Sequence, residues 1–280
     1  MSTLYLVATP LGNLEDITLR ALRLLREVRV IAAEDTRRTR QLLTHFGIAT
    51  PLLSYHAHNE HRRRQTMLAA LDRGDVALVS DAGSPGISDP GFDLVNAAWS
   101  AGHVVSPVPG PSAMIAAASM SGLVPGGFVA LGFLPRQTSE RNTVLGRAAA
   151  ARLPLIIYEA PTRVGSTLWD LHRRLGDRQA AILRELTKIH EERITDTLSN
   201  LATRFEREEP RGEIVIVVDA VVDHPVSDDE AIGIVADLVG SGLSPSQAAR
   251  EASAICGRPR SELYDLARQM PSGLGDSTDQ

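Results

Sequence analysis

The chain has 280 residues, 43% of them apolar and 22% charged, with a formal net charge of −5. That length holds two ordinary domains and a small appendage, the acidic balance argues against a protein that coats nucleic acid indiscriminately, and no apolar run approaches the ~20 residues of a membrane span. One cysteine, Cys256, excludes an intramolecular disulfide and a multi-cysteine zinc site, and without a basic leader ahead of Leu4 the expected compartment is the cytoplasm.

Residues 4–8 read as a strand and 17–27 as a helix whose Leu19, Leu22 and Leu25 form an apolar stripe. The loop between them contains Pro10 and Gly12, which predict a tight turn, and Asp16, a candidate cap for the helix. Strand 28–33, helix 36–46, strand 52–55, helix 60–73 and strand 76–80 follow, then helix 92–101, strand 104–108 and helix 112–120. This alternation predicts a mostly parallel sheet covered by helices. A joint falls at 122–127, a stretch holding three glycines and a proline. Beyond it, strands are expected at 128–133, 155–158, 180–185, 191–198 and 213–218, and helices at 141–150, 162–175 and 201–206, an α+β block with a mixed sheet. Residues 221–229 read as a linker. Helices at 229–240, from Pro245 to a stop at Gly257, and at 261–269 close the chain, with Ser244 capping the second. Their spacing suits either a helix-turn-helix or a plain helical packing module, and residues from Pro271 onward read as a frayed tail.

Ligands of open α/β sheets sit beyond the carboxyl ends of the strands. Three loops of the first block fall there, and none carries a G-x-G-x-x-G, which weakens an ordinary dinucleotide-binding or Rossmann methyltransferase reading. One is the Pro10–Gly12 turn. The second runs from Ser80 to Gly91, with three glycines, two prolines and two aspartates directly after a strand. It reads as a constrained ligand loop in which Asp81 accepts hydrogen bonds, or as a stiff turn with Asp89 capping the next helix. The third, Pro109-Gly110-Pro111-Ser112, leads into the alanine-rich stretch 113–118, whose small residues suit close approach of a flat group or tight packing on a sheet.

Eight ordered segments then resemble one family. They are Thr9–Thr18 with Pro10-Leu11-Gly12-Asn13, Ala32-Ala33-Glu34-Asp35-Thr36-Arg37, His56-Ala57-His58-Asn59-Glu60, the Ser80 loop with Pro109-Gly110-Pro111, Gly132-Phe133-Leu134-Pro135, Tyr158-Glu159-Ala160-Pro161, Arg184-Glu185-Leu186-Thr187-Lys188, and Arg211-Gly212-Glu213. Together they resemble bacterial ribosomal RNA small subunit methyltransferases of type I, 16S rRNA cytidine 2′-O-methyltransferases within the tetrapyrrole-methylase superfamily. Ser84, Gly86 and Thr162 depart from the pattern, which more often has threonine, a larger aliphatic residue and histidine there.

The resemblance implies two α/β domains (1–122 and 123–222) with the donor, S-adenosyl-L-methionine, in the cleft between them, a helical C-terminal domain (228–270) and a flexible tail (271–280). It also implies a homodimer whose partner is 16S rRNA in the small ribosomal subunit, with no membrane. The donor would be lined by Pro10, Gly12, Asp81, Ala82, Gly83, Ser84, Pro85, Ile87, Ser88, Pro109, Gly110, Ser112, Gly132, Phe133, Glu159 and Ala160. For activating a ribose hydroxyl the candidates are Lys188, as a positive field or as a base with depressed pKa, and Glu34 or Asp35. Lys188 stands out because the other 28 cationic residues are arginines. Arg37, Arg62, Arg63, Arg64 and Arg184 are candidate RNA contacts. His56, His58 and His61 suit RNA contacts better than a metal, which methyl transfer does not need. The alternatives are a methylase of the same superfamily acting on a tetrapyrrole or a protein side chain, and a non-catalytic ribosome assembly factor.

Overall fold

The computed structural model describes residues 2–220, 228–240, 243–256 and 258–269. The expected tail, the stop at Gly257 and residues 221–227 of the expected linker lie outside them. Met1–Ala220 form one compact unit and Val221–Gln280 a second.

The first unit opens with β1 (Thr3–Val7), α1 (Leu19–Glu27), β2 (Val30–Ala33), α2 (Thr36–His45), β3 (Leu52–Ser54), α3 (Glu60–Leu71), β4 (Val76–Val79), α4 (Phe92–Ser100) and β5 (Val104–Val108). The strands form a wholly parallel sheet in the order β3-β2-β4-β1-β5. Side chains alternate across a strand, and here the alternation divides one apolar run between two cores. Val7, Ile31, Ala33, Ala77 and Val79 pack with Leu24 and Leu25 of α1 and Leu43 of α2. Leu4, Val30, Ala32, Val76 and Leu78 pack on the other face with Met67 and Leu71 of α3 and Leu94 of α4. Burial on both faces explains why these strands are continuously apolar. All the loops that follow β1, β2, β4 and β5 therefore open at one edge of the sheet.

The chain continues through α5 (Ala113–Ser121), β6 (Val129–Phe133), α6 (Thr138–Ala150), β7 (Leu155–Glu159), α7 (Val164–Leu175), β8 (Gln179–Arg184), β9 (Glu192–Thr197), α8 (Leu198–Arg207) and β10 (Ile214–Val218). The second sheet, β6-β7-β10-β8-β9, is mixed: β6 and β7 are parallel and the remaining pairs antiparallel. One face packs on α6, α7 and α8. The other packs on α5, where Met114 and Ala117 meet Ile156, Ala181, Leu183, Val215 and Val217. The alanines of α5 thus serve helix-on-sheet packing, and against the second sheet rather than the first.

Helix starts follow capping chemistry. Thr18, not Asp16, caps α1, its hydroxyl accepting from the Ala21 amide at 3.0 Å. Asp16 instead closes a 3-10 turn over Leu14–Asp16, begun by Asn13, whose side chain accepts from the Glu15 amide. The loop before α4 ends on Gly91, so Asp89 is not a cap.

The second unit holds α9 (Asp228–Gly240), α10 (Pro245–Cys256) and α11 (Arg260–Gln269), packed on Val235, Val239, Ala248, Ala249, Ala252 and Leu263. Ser244 precedes Pro245 as expected and forms one arm of a capping box, its amide donating to Gln247 Oε1 at 3.2 Å. Arg258 joins Asp228 (2.6 Å) to Glu262 (3.1 Å), tying α9 to α11. Among the described residues no helix is long and apolar enough to cross a membrane.

Candidate functional site

The loop after β4 is pinned to the loop after β1. Thr9 and Gly83 exchange backbone hydrogen bonds at 2.9 Å in both directions, and the Thr9 hydroxyl donates to the Ser80 carbonyl at 3.1 Å. Gly83, Gly86 and Gly91 take positive φ, as does Ser88 at 63°, a conformation that strains any residue with a Cβ. Ser88 faces Gly132 on β6 (φ 61°): a Cβ on Gly132 would overlap the Ser88 hydroxyl. The absent side chain is what lets the loop approach the second sheet so closely.

A cavity of about 420 Å³ lies between the carboxyl edge of the first sheet and the facing part of the second. The loop after β4 contributes Asp81, Ala82, Gly83, Ser84, Ile87, Ser88 and Asp89. Leu11, Glu34, Arg38, Ser112 and Ala113 come from neighbouring elements, and Phe133, Tyr158, Glu159, Ala160, Leu186 and residues 212–215 from the second half. Phe133 and Ile87, 60% and 56% exposed, present apolar surface to this cavity. The Phe133 ring packs against Tyr158, centroids 5.6 Å apart and planes tilted by 59°.

Five acidic residues line this space, and the charges of three of them, Glu34, Asp81 and Asp89, act on one another. Burial raises the pKa of Asp89 to about 6, helped by the charges of Glu34 and Asp81 and opposed by a Ser80 hydrogen bond. Glu34 is also raised, by burial first and then by Asp81, partly offset by Arg38 and His56. Asp81 accepts the Asp35 amide at 2.9 Å on Oδ1 and faces Arg38 at 3.6 Å on Oδ2. An acidic, partly apolar cavity favours a cationic ligand with a flat apolar portion, and S-adenosylmethionine has both an ammonium and a sulfonium. The side chains present fit it.

Of the sixteen expected donor-lining residues, ten line this cavity: Asp81, Ala82, Gly83, Ser84, Ile87, Ser88, Ser112, Phe133, Glu159 and Ala160. Pro10 and Gly12 line a second cavity of about 320 Å³, formed with Thr9, Leu14, Thr39, Gln41, Leu42 and Ser80, and sharing Arg38 and Asp81 with the first. Pro85, Pro109, Gly110 and Gly132 line neither, and Gly110 instead makes room for Ala8, 3.0 Å from where its Cβ would stand. The Glu159 carboxylate, 2% exposed, is engaged by Thr167 (2.6 Å), the Ala160 amide (2.8 Å) and Arg163 (3.3 Å), so its side chain positions the loop rather than meeting a ligand.

The three expected acid–base residues separate. Only Glu34 lies in the cavity. Asp35 caps α2 through the Arg37 amide at 2.8 Å and pairs with the Arg37 guanidinium, which holds its pKa at about 2. Lys188 reaches Glu185 at 2.9 Å and Glu213 at 3.4 Å. Burial alone would lower its pKa, but the two carboxylates outweigh burial and the net shift is upward. In this arrangement the two carboxylates hold Lys188 in its charged form. Its stem lies on Gly12, where a Cβ would come within 2.8 Å of Lys188 Cε. The segment carrying it is strained, with Glu185 and Thr187 at φ 54° and 67°, and is braced by the Asn13 amide on Thr187 at 3.3 Å.

The basic residues disperse too. Arg62, Arg63 and Arg64 are consecutive on α3, so they fan around the helix: Arg62 is exposed and the others half-buried. Arg184 is paired across the sheet with its register partner Glu192 at 2.9 Å. Arg37 turns to Asp35, and the neighbouring Arg38, not singled out in the sequence, faces the cavities. His61 meets Glu60 and Asp93 with ligand-type atoms within 4.8 Å of one another, away from both cavities.

Residues 3–202 match the family model described as Tetrapyrrole (Corrin/Porphyrin) Methylases, and 225–270 the model described as the RsmI C-terminal HTH domain. The Ribosomal RNA small subunit methyltransferase I of Synechocystis sp. is 45% identical over 275 residues, 96% of this chain and 99% of its own. The protein of the same name from Thermotoga maritima is 45% identical over 219 residues, which are 78% of this chain but 98% of its own. Among solved structures, uroporphyrin-III C-methyl transferase from Thermus thermophilus, complexed with S-adenyl homocysteine, shares the fold: TM-score 0.58, 22% identity, covering 79% of this chain and 99% of that one.

Proposed function

This chain belongs to the tetrapyrrole (corrin/porphyrin) methylase family, and from that premise we propose that it methylates the 2′-hydroxyl of a cytidine ribose in the 16S rRNA of the small ribosomal subunit. The methyl donor is S-adenosyl-L-methionine. The full-length similarity to relatives named for small-subunit rRNA methylation supports the substrate class, because it extends over both units of the chain. The observation that carries the donor assignment is the cavity framed by the loop after β4, with Asp81, Glu34 and Asp89 grouped beside the exposed faces of Phe133 and Ile87.

The bound donor supplies a methyl group on a sulfonium, already an excellent leaving group. The chain's own residues supply placement, and placement alone accounts for a large part of such rates. Asp81, fixed by the Asp35 amide, is an acceptor for donor ammonium or hydroxyl groups. Phe133 and Ile87 cover an apolar ring and exclude water. Glu34, which lines the cavity and is raised by burial and by Asp81, is the carboxylate we assign to take a proton from the hydroxyl. Lys188, held as a cation by Glu185 and Glu213 and lying across Gly12, is the positive charge set against the loop after β1.

A homodimer in the cytoplasm belongs to the same reading. Phe92 and Trp99, seven residues apart on one side of α4, are 72% and 58% exposed, which suits a face covered by a second copy. Light scattering on the purified chain measures that state directly.

Incubating the chain and labelled donor with small subunits from cells lacking it, then digesting the RNA to nucleosides, tests the assignment. Label in 2′-O-methylcytidine is expected. Label in a base or in protein would replace the reading with another acceptor.

A further inference from the structure

The cavity beneath α2 is left without an occupant by the donor assignment. It abuts the donor cavity, and the Arg38–Asp81 pair stands in both linings. A transferable group must touch the atom that receives it, so the acceptor has to occupy space contiguous with the donor. This second cavity is such a space.

Its size and chemistry select the acceptor. About 320 Å³ suits one nucleoside. Leu14 and Leu42 offer apolar surface to a base face, while the Gln41 side-chain amide offers both a donor and an acceptor to a base edge. Arg37, Arg38 and Arg40 are exposed on α2, the first two beside Asp35 and Asp81, which leaves a net positive margin on a protein of net charge −5. From the other side, Lys188 lies across Gly12, itself part of the lining. RNA is read mostly where bases are unstacked, and enzymes that modify nucleotides extrude them into such pockets.

We infer that the cavity between the loop after β1 and α2 receives a single nucleotide unstacked from RNA, with Gln41 at the base edge and the Arg38–Asp81 pair beside its ribose. This rests on the methyl-transfer reading above.

Gln41→Trp tests it, because Gln41 is exposed and an indole there fills the cavity without entering the core. With the full chain and small subunits as substrate, donor affinity by calorimetry should stay within about twofold of wild type, while kcat/KM for the particle falls by roughly 100-fold. Gln41→Ala, which adds no bulk, should raise KM for the particle by about tenfold and leave kcat in place. Wild-type kcat/KM in Gln41→Trp overturns the inference. So does a parallel loss of donor affinity in both variants, which would put Gln41 in the donor site. Wild-type protein that leaves the RNA unlabelled overturns the parent reading, and this inference falls with it; a labelled wild type with an unaffected Gln41→Trp overturns this inference alone.

Discussion

Asp89→Asn removes a charge from the cavity while keeping the side chain's shape. The folded protein raises this carboxyl from its ordinary 3.8 to about 6, chiefly by burial. Such a group is tolerated as the neutral acid below its unfolded value. Its contribution to stability is lost as pH climbs through the folded value. The full shift corresponds to an upper bound of about 3 kcal/mol. Asp89 is only half-buried, and solvent screening brings the figure to about 1 kcal/mol. Asparagine does not ionise, so the variant should melt about 2–4 °C above wild type at pH 7.5. Near pH 4 the two should melt together. Thermal unfolding by circular dichroism at both values, without donor, decides it. An equal shift at the two pH values, or a variant less stable at pH 7.5, would show that desolvation of Asp89 is not what the cavity imposes.

Lys188→Ala should leave donor affinity within about twofold and lower kcat roughly 10- to 100-fold, measured by calorimetry and steady-state methylation; unchanged kcat would remove Lys188 from the mechanism. Gly132→Ala meets both a positive φ and the Ser88 hydroxyl. It should cost about 1–2 kcal/mol in urea unfolding, with Ser88→Gly in the same chain restoring part of the loss. Removing the residues after 220 should preserve donor binding and weaken methylation of the ribosomal particle. Full activity of that truncation on the particle would refute a docking role for the helical unit.

Most of the scaffold could be read from residue pattern alone. Continuous apolar runs in the first half gave a parallel sheet buried on both faces, and their flanking glycine and proline runs gave the loops at its carboxyl edge. The loop after β4 was recognisable because a constrained, acidic segment directly after a buried strand has few structural uses. What escaped the pattern depended on three-dimensional phase. Which of Arg37 and Arg38 faces the cavity is set by the Asp35 cap, which holds Arg37 to itself. Asp89 reads as a helix cap until the turn at Gly91 takes that place. Leu186 and residues 212–215 reach the cavity only through the antiparallel pairing of β8 and β10, which no local sequence feature specifies. The alanines of α5 announce close packing but not the sheet that receives them.

Calorimetry of S-adenosylmethionine with the full chain, beside Asp81→Ala, probes the central assignment most directly. One donor per chain is expected, with affinity rising as pH passes upward through about 6, where Asp89 ionises, and weakened roughly tenfold or more in the variant. No uptake by wild type, or uptake indifferent to Asp81, would contradict the placement of the donor in this cavity.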